Sequence, residues 1–313
     1  MPLRALWRDE TRPGRSWLLV LSIGLGLWVA SVVVYLLTGN INQIPTITQL
    51  GSFVVPITYV VWAYENGRRD ETTLTLIFRA FVAGGVLGTL AASLLETYLL
   101  NTLSPWLYVG VGFIEEGTKI LALMLVARNL RYRTPRDGMV LGSAVGFGFA
   151  AFESSGYALS AFLSDDGSNL RAMVETEILR GLVAPLGHGL WTGILGGLLF
   201  YASQPSRYRL RLEFWLSFVA VSLLHALWDA MPAIGNSLAH YIETGQTDYA
   251  RHHAAVNPTG GTTTTLATAI QWVGLLALAL LGTAWNRRLG TRFRSFHPPP
   301  PAPSTRSWHW VRP

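Results

Sequence analysis

The chain has 313 residues, of which half are hydrophobic and 13% are charged, and its 24 Lys and Arg against 18 Asp and Glu give a net charge of +6. An ordinary soluble domain has about a quarter charged residues, so this composition, with a mean hydropathy of +0.33, excludes such a domain and indicates a polytopic membrane protein. The sequence contains no cysteine, which excludes disulfides, a thiolate nucleophile and cysteine-ligated metals.

Apolar stretches long enough to cross a bilayer, which takes about 20 residues, recur along the chain. The predicted spans are residues 16–37, 44–64, 78–100, 104–127, 138–161, 178–202, 212–231 and 265–285. The first is longer than the apolar part of a signal peptide, about 7–15 residues, and we expect it to be retained. We therefore predict an all-α fold, a bundle of about eight transmembrane helices that forms one membrane domain over residues 16–286.

The segments outside the predicted spans are short. Residues 1–15 are expected to be a cytoplasmic N-terminal segment, and the proline-rich tail 287–313 is expected to be cytoplasmic and disordered. The longest external loop is predicted over residues 233–264. Its histidines, His240, His252 and His253, could bind a metal, but a solvated loop is the favoured interpretation.

The arginines are distributed unevenly between the two ends of the predicted spans. Twenty lie in segments that face one side of the membrane, and three, Arg171, Arg180 and Arg251, face the other. The positive-inside rule then puts both termini in the cytoplasm of a protein integral to the cytoplasmic membrane. Because these arginines would meet anionic membrane lipids, the positive charge requires no nucleic-acid partner.

Ionisable side chains inside the spans are the strongest functional signal, because burying a charge in a bilayer is costly. Seven such residues fall in four successive spans: Glu115, Glu116, Lys119, Glu153, His188, His225 and Asp229. A rise of ~1.5 Å per residue puts them at similar heights, so we expect one polar layer near the midplane. Glu96, at the outer end of the third span, is instead expected to be interfacial.

The spacing within each span predicts which of these side chains share a helix face. Lys119 lies three and four residues after Glu116 and Glu115, so the only lysine in the chain is expected to neutralise one of the two carboxylates. The adjacent glutamates themselves should point about 100° apart. His225 and Asp229 are four residues apart, which suits two metal ligands or a carboxylate that orients an imidazole.

The fifth predicted span has a stripe of small residues. Gly142 and Gly146 lie on the same helix face as Phe149 and Glu153. Small side chains allow a neighbouring helix to approach closely, so this face, with Glu153, is expected to point toward protein rather than lipid.

Several protease chemistries are excluded by the residues present. The sequence has no HExxH zinc motif, no second intramembrane aspartate for an aspartyl dyad, and no serine in a Gly-x-Ser-Gly setting. Carboxylate and histidine chemistry remains.

Four short motifs follow one another on successive spans: EExxK from Glu115 to Lys119, FxxxE from Phe149 to Glu153, PxxH from Pro185 to His188, and HxxxD from His225 to Asp229. In this order they resemble the PrsW family of intramembrane proteases, distant relatives of the CAAX prenyl endopeptidases and bacteriocin-processing proteins. The resemblance covers residues 104–231. The CAAX-type relatives differ, since their EExxxR places the basic residue one position later than Lys119, and their FxxxH has histidine where Glu153 stands.

The resemblance implies peptide-bond hydrolysis by a water molecule activated in the polar layer. Glu115 or Glu116 would be the general base, with Lys119 as its counter-charge, and Asp229 would orient His225. His188 and His225 would either ligate zinc, completed by Glu153 or Asp229, or donate hydrogen bonds to the oxyanion. The expected substrates are single-pass or lipid-anchored membrane proteins, such as anti-sigma-factor-like regulators.

A second functional class uses the same residues. Intramembrane Glu, His and Asp also form proton relays and cation sites, so a proton- or cation-coupled transporter is the alternative. The sequence shows no inverted repeat or matched pair of broken helices, which are common in such transporters.

Overall fold

A computed structural model describes residues 14–67, 72–100, 106–130, 132–164, 169–203, 207–246 and 261–293. The proline-rich tail beyond residue 293, His252 and His253 lie outside these ranges. Ten α-helices make up the described part: α1 Ser16–Thr38, α2 Ile44–Gly67, α3 Leu74–Val82, α4 Thr89–Leu99, α5 Leu107–Val126, α6 Pro135–Phe162, α7 Leu170–Val183, α8 His188–Ala202, α9 Leu212–Thr244 and α10 Gly261–Phe293. No β-strand occurs among these residues, which confirms the predicted all-α fold.

The helices correspond to the predicted spans, with α3 and α4 joined through the π-helical segment Ala83–Gly88 into one rod. Six segments of the described chain are long and apolar enough by themselves to cross a membrane. Neither α5 nor α6 is among the six; α5 carries three of the intramembrane charges, and α6 carries Glu153. These two helices are largely buried in the bundle, where the other helices shield them.

The sixth predicted span, 178–202, is not one continuous helix. It is divided into α7 and α8 by a 3-10 turn over Ala184–Leu186. Pro185 in this turn has no backbone N–H to donate, and Gly187 has a non-helical backbone with φ −102° and ψ −111°. The break makes His188 the first residue of α8.

The prediction of a long external loop over residues 233–264 was wrong for residues 233–244 and 261–264, which are helical, while residues 247–260 lie outside the described ranges. Helix α9 continues through Pro232 to Thr244, and α10 begins at Gly261. His240 therefore lies on a helix. Proline is tolerated inside membrane helices because neighbouring groups satisfy the carbonyl that it leaves unpaired.

The most extensive helix packing in the described bundle joins α6 to α8. A Cβ atom added to Gly142 would collide with the carbonyl oxygen of Thr192, and one added to Gly146 would collide with that of His188. This contact confirms the predicted role of the small-residue stripe. Since the two glycines lie about two and three turns before Glu153 on α6, the same packing brings Glu153 to the start of α8, where His188 lies.

Helices α5 and α9 are held together in the same manner. Gly112 on α5 lies against the backbone carbonyl of Ser222 on α9, three residues before His225. Peripheral helices complete the fold, and α1 is the least buried of the six apolar segments. The seven predicted site residues lie on α5, α6, α8 and α9, which contribute most of the buried core.

We expect Gly146→Ala to destabilise the bundle, because the new methyl group would overlap the His188 carbonyl and force α6 away from α8. Overpacking of this kind typically costs about 1–3 kcal/mol. The measurement is the thermal unfolding midpoint of the purified protein in detergent. Gly156→Ala on the same helix is the matched control, because a Cβ atom there meets nothing within 4 Å. Equal midpoints for the two variants would contradict the packing argument.

Candidate active site

Lys119 is the centre of the polar layer. Its Nζ donates hydrogen bonds to Glu115 Oε2 at 3.0 Å, to Glu116 Oε1 at 3.0 Å and to His188 Nδ1 at 2.8 Å. The ammonium group also lies 4.1 Å from the centre of the Phe149 ring, a cation–π contact. Lys119 is fully buried, so these contacts replace all of its hydration.

Lys119 contacts both adjacent glutamates, contrary to the expectation that it would neutralise only one. Their backbone positions do diverge around the helix, but Lys119 comes one turn later and its long side chain lies between the two carboxylates. Glu116 is fully buried and also accepts a hydrogen bond from Thr192 Oγ1 at 3.1 Å. Glu115 is the one of the pair that lines the adjoining cavity.

His225 has one nitrogen engaged and one that carries no hydrogen bond. Its Nδ1 donates to Glu116 Oε1 at 2.9 Å, which assigns the proton to Nδ1 because an ionised carboxylate can only accept. The buried Nε2 has no hydrogen-bond partner. It lies 3.5 Å from Glu115 Oε2 and 3.4 Å from Asp229 Oδ2. Its lone pair is therefore available beside two carboxylates.

His188 has the complementary arrangement. Its Nε2 lies 3.0 Å from Glu153 Oε2 and donates to that carboxylate, which leaves Nδ1 as the acceptor of the Lys119 hydrogen bond. This Nδ1 is 3.7 Å from Glu115 Oε2, and the two imidazole rings are 4.9 Å apart, centre to centre. Each imidazole is thus oriented by a carboxylate on one nitrogen and turns the other nitrogen toward Glu115.

Two further residues complete the polar layer, and the sequence analysis missed both. Arg180 on α7 forms an ion pair with Glu153 and donates to Ser154 Oγ at 2.7 Å. In the sequence analysis, Arg180 is counted among the arginines that face the outer side. Its position inside the predicted span 178–202 is, however, the same sign of a functional residue that identified the other intramembrane charges. Thr192 follows His188 by one helical turn, which was the only sequence sign of its contact with Glu116.

The fit to a metal ion can be tested on these atoms. One ligand atom each from Glu115, His188 and His225 lies within 4.8 Å of the other two. A tetrahedral zinc with bonds near ~2.1 Å needs its ligand atoms about 3.4 Å apart, so the two nitrogens would approach Glu115 with only small movements. Two imidazoles and one carboxylate are also a common catalytic zinc set. The donors therefore fit a divalent metal, provided that Lys119 withdraws from His188 Nδ1.

This trio differs from the predicted ligand set of Glu153, His188, His225 and Asp229. Glu115 takes the place of Glu153, which is engaged with Arg180 and with the far nitrogen of His188. Asp229 lies at the edge of the trio, with its side chain 29% exposed.

A cavity of about 820 Å³ adjoins the polar layer, and Glu115, Glu153, His188 and Asp229 line it. Its other walls come from the ends of helices that lie away from the arginine-rich connections 128–136 and 207–211. Glu96 on α4 also lines the cavity, and its interpretation as an interfacial residue stays a prediction. The arrangement can bring water and an extended peptide to two oriented histidines.

Comparison with known proteins gives a family match over this region. A model of the PrsW family intramembrane metalloproteases matches residues 72–256, more than half of the chain. The match contains all seven predicted site residues together with Glu96, Arg180 and Thr192.

Two relatives, both named Protease PrsW, are similar in sequence. The one from Geobacillus kaustophilus (strain HTA426) is 29% identical over 126 residues, which are 39% of this chain and 49% of that relative. The one from Shouchella clausii (strain KSM-K16) is 23% identical over 186 residues, 58% of this chain and 80% of the relative. The chain thus spans about half the length of the first relative. No solved structure matches.

We expect Lys119→Met to unfold or strongly destabilise the protein, because it leaves two buried carboxylates without their cation. Breaking a buried ion pair by removing one partner typically costs about 3–5 kcal/mol. The measurement is the amount of folded protein extracted from membranes and its thermal midpoint. Adding Glu116→Gln to Lys119→Met should recover part of the loss.

Arg171→Met is the matched control for this prediction. Arg171 also pairs with a glutamate four residues away, but both side chains are exposed, so no measurable loss is expected. Equal stability of Lys119→Met and Arg171→Met would contradict the central role of the lysine.

Proposed function

Because the chain belongs to the PrsW family of intramembrane metalloproteases, we propose that it hydrolyses peptide bonds of membrane-anchored protein substrates in the cavity beside His188 and His225. The family assignment favours this function over a coupled transporter. The observation that carries the proposal is the pair of oriented imidazoles, each with one nitrogen bound to a carboxylate and the other directed toward Glu115. Carboxylate–histidine pairs of this kind commonly orient metal ligands.

Glu115, His188 and His225 would hold the metal ion, which we propose to be zinc. Bound there, zinc would act as a Lewis acid and lower the pKa of a water molecule. Glu116 would fix His225 through Nδ1, and Glu153 would fix His188 through Nε2. Arg180 would hold Glu153 in place. Neither of these two glutamates would then be a ligand.

Asp229 is the residue that we assign as general base. Its carboxylate lines the cavity, is partly exposed, and lies 3.4 Å from His225 Nε2, so it can accept a proton from a water beside the trio and return it to the leaving amine. Glu116 does not line the cavity, which argues against the earlier hypothesis that it is the base. Glu115, the other earlier candidate, would be a ligand in this mechanism.

A metal-free mechanism uses the same residues in other roles. The hydrogen bond from Lys119 to His188 Nδ1 favours it, because this contact occupies the lone pair that a metal would need. Glu115 would then activate the water, and His225, protonated on both nitrogens, would donate a hydrogen bond from Nε2 to the oxyanion. Metal removal separates the two mechanisms.

The substrate is proposed to reach the site from the extracytoplasmic side. The cavity walls come from the helix ends opposite the arginine-rich connections, and those connections belong in the cytoplasm by the positive-inside rule. A protein cut there would be a single-pass or lipid-anchored protein, such as an anti-sigma-factor-like regulator, cleaved near the outer end of its membrane segment.

We expect exhaustive chelation to abolish cleavage of a single-pass model substrate by the purified protein, and zinc to restore it. Glu115→Gln and His225→Gln should lose both bound metal and activity, while Asp229→Asn should keep the metal and lose at least about 100-fold in activity, as expected for loss of a general base. Metal content is measured by mass spectrometry on the same preparations.

Ser160→Ala is the matched control, because Ser160 lines the cavity but makes no contact with the trio among the described residues. Its activity and metal content should equal those of wild type. Full activity after chelation would overturn the metal mechanism and favour a Glu115-activated water.

We expect reporter fusions to place both termini and the connection between α5 and α6 in the cytoplasm. The reason is the concentration of arginines at this end of the bundle. A periplasmic-type reporter, alkaline phosphatase, should be active when fused after Leu163 and inactive when fused after Arg128. The reverse pattern would move the cavity to the cytoplasmic side.

A further inference from the structure

The charged residues that line the cavity do not balance one another. Four carboxylates face it, those of Glu96, Glu115, Glu153 and Asp229. Three of them lie near a basic group: Glu115 bonds to Lys119, Glu153 pairs with Arg180, and Asp229 lies beside His225. Glu96 forms no ion pair within the described part of the chain.

Glu96 differs from the other three in its contacts as well. Its Oε1 is buried and has no hydrogen-bond partner in the structure. It lies within electrostatic reach of Glu115, Glu153 and Asp229, whose charges add to its own, and Lys119 offsets them in part. An acceptor that is removed from water and left unpaired is costly, so a donor supplied by a ligand would be bound strongly.

We propose that Glu96 is a specificity residue that binds the side chain of a Lys or Arg in the substrate, close to the scissile bond. This inference rests on the proposed protease function. Glu96 on α4 and Asp229 on α9 both line the cavity, so a peptide bound in it can contact both residues. The apolar side chains of Leu107 and Val111, which also line the cavity, would contact the aliphatic part of the basic side chain.

The negative charge of Glu96 would restrict the protease to a small set of substrates. Basic residues beside membrane segments are concentrated on the cytoplasmic side, so a basic residue at the outer end of a transmembrane segment is uncommon. A protease whose outer cavity requires one would ignore most membrane proteins. Loss of a buried charge partner would lower kcat/KM for a basic substrate by about 10–100-fold.

The test uses one single-pass model substrate in three forms, with Lys, Gln or Glu at a position next to the mapped cleavage site. Wild type should cleave the Lys form about 10–100-fold better than the Gln form, with most of the difference in KM. Glu96→Gln should cleave the Lys and Gln forms equally, and at the wild-type rate for the Gln form. Glu96→Arg should prefer the Glu form.

Ser93→Ala is the matched control, because Ser93 lines the same cavity from the preceding turn of α4. It should keep the wild-type preference for Lys. If Glu96→Gln lowers cleavage of all three forms equally, or leaves the preference for Lys intact, the inference is overturned.

Binding is measured in parallel, so that the result does not depend on catalysis. The sequence has no cysteine, so a single cysteine introduced at Ser93 gives a unique site for cross-linking to the substrate. Cross-linking that favours the Lys form, with no cleavage of any form, would support the role of Glu96 and contradict the proposed protease function. Equal cross-linking of the Lys and Gln forms would overturn the role of Glu96 whether or not cleavage occurs.

Discussion

The structure depends on charge compensation around Lys119. Glu115 and Glu116 are buried side by side, and one ammonium group bonds to both of them. Four carboxylates, those of Glu115, Glu116, Glu153 and Asp229, face two permanent cations, Lys119 and Arg180, so the layer keeps about two negative charges when its histidines are neutral. Since isolated buried charges are costly, this surplus favours either protonated imidazoles or a divalent cation at the histidines.

Backbone packing makes this compensation possible. The glycines of α6 let the backbone of α8 approach until Glu153 reaches His188, and Gly112 does the same for α5 and α9. Ion pairs and hydrogen bonds in a low-dielectric interior are strong only over short distances, so a separation larger by the width of a methyl group would weaken them. The charge compensation thus depends on the close packing that the small residues allow. Both sets of residues occur on the same four helices.

Most of the fold could be predicted from the sequence, because apolar length and small-residue spacing are local properties. The seven intramembrane residues were found for the same reason: a charge in an apolar run is visible without a structure. The division of roles among them was not predictable. Whether Glu115 or Glu153 lies beside the remaining nitrogens of the two histidines depends on side-chain contacts between helices, and the partner of Glu153, Arg180, lies on a helix that the sequence analysis joined to α8.

The break between α7 and α8 gives Glu153 a basic partner on each of two helices. Arg180 is near the end of α7 and His188 begins α8, and both bind the carboxylate of Glu153. A continuous helix would run past Glu153 and could not offer it two donors from either side of a turn. Because Leu179, Arg180 and Val183 also line the cavity, a movement of α7 that widens the cavity would withdraw Arg180 from Glu153. Glu153 would then be less firmly held, and so would His188, so the position of α7 affects the orientation of a histidine in the proposed mechanism.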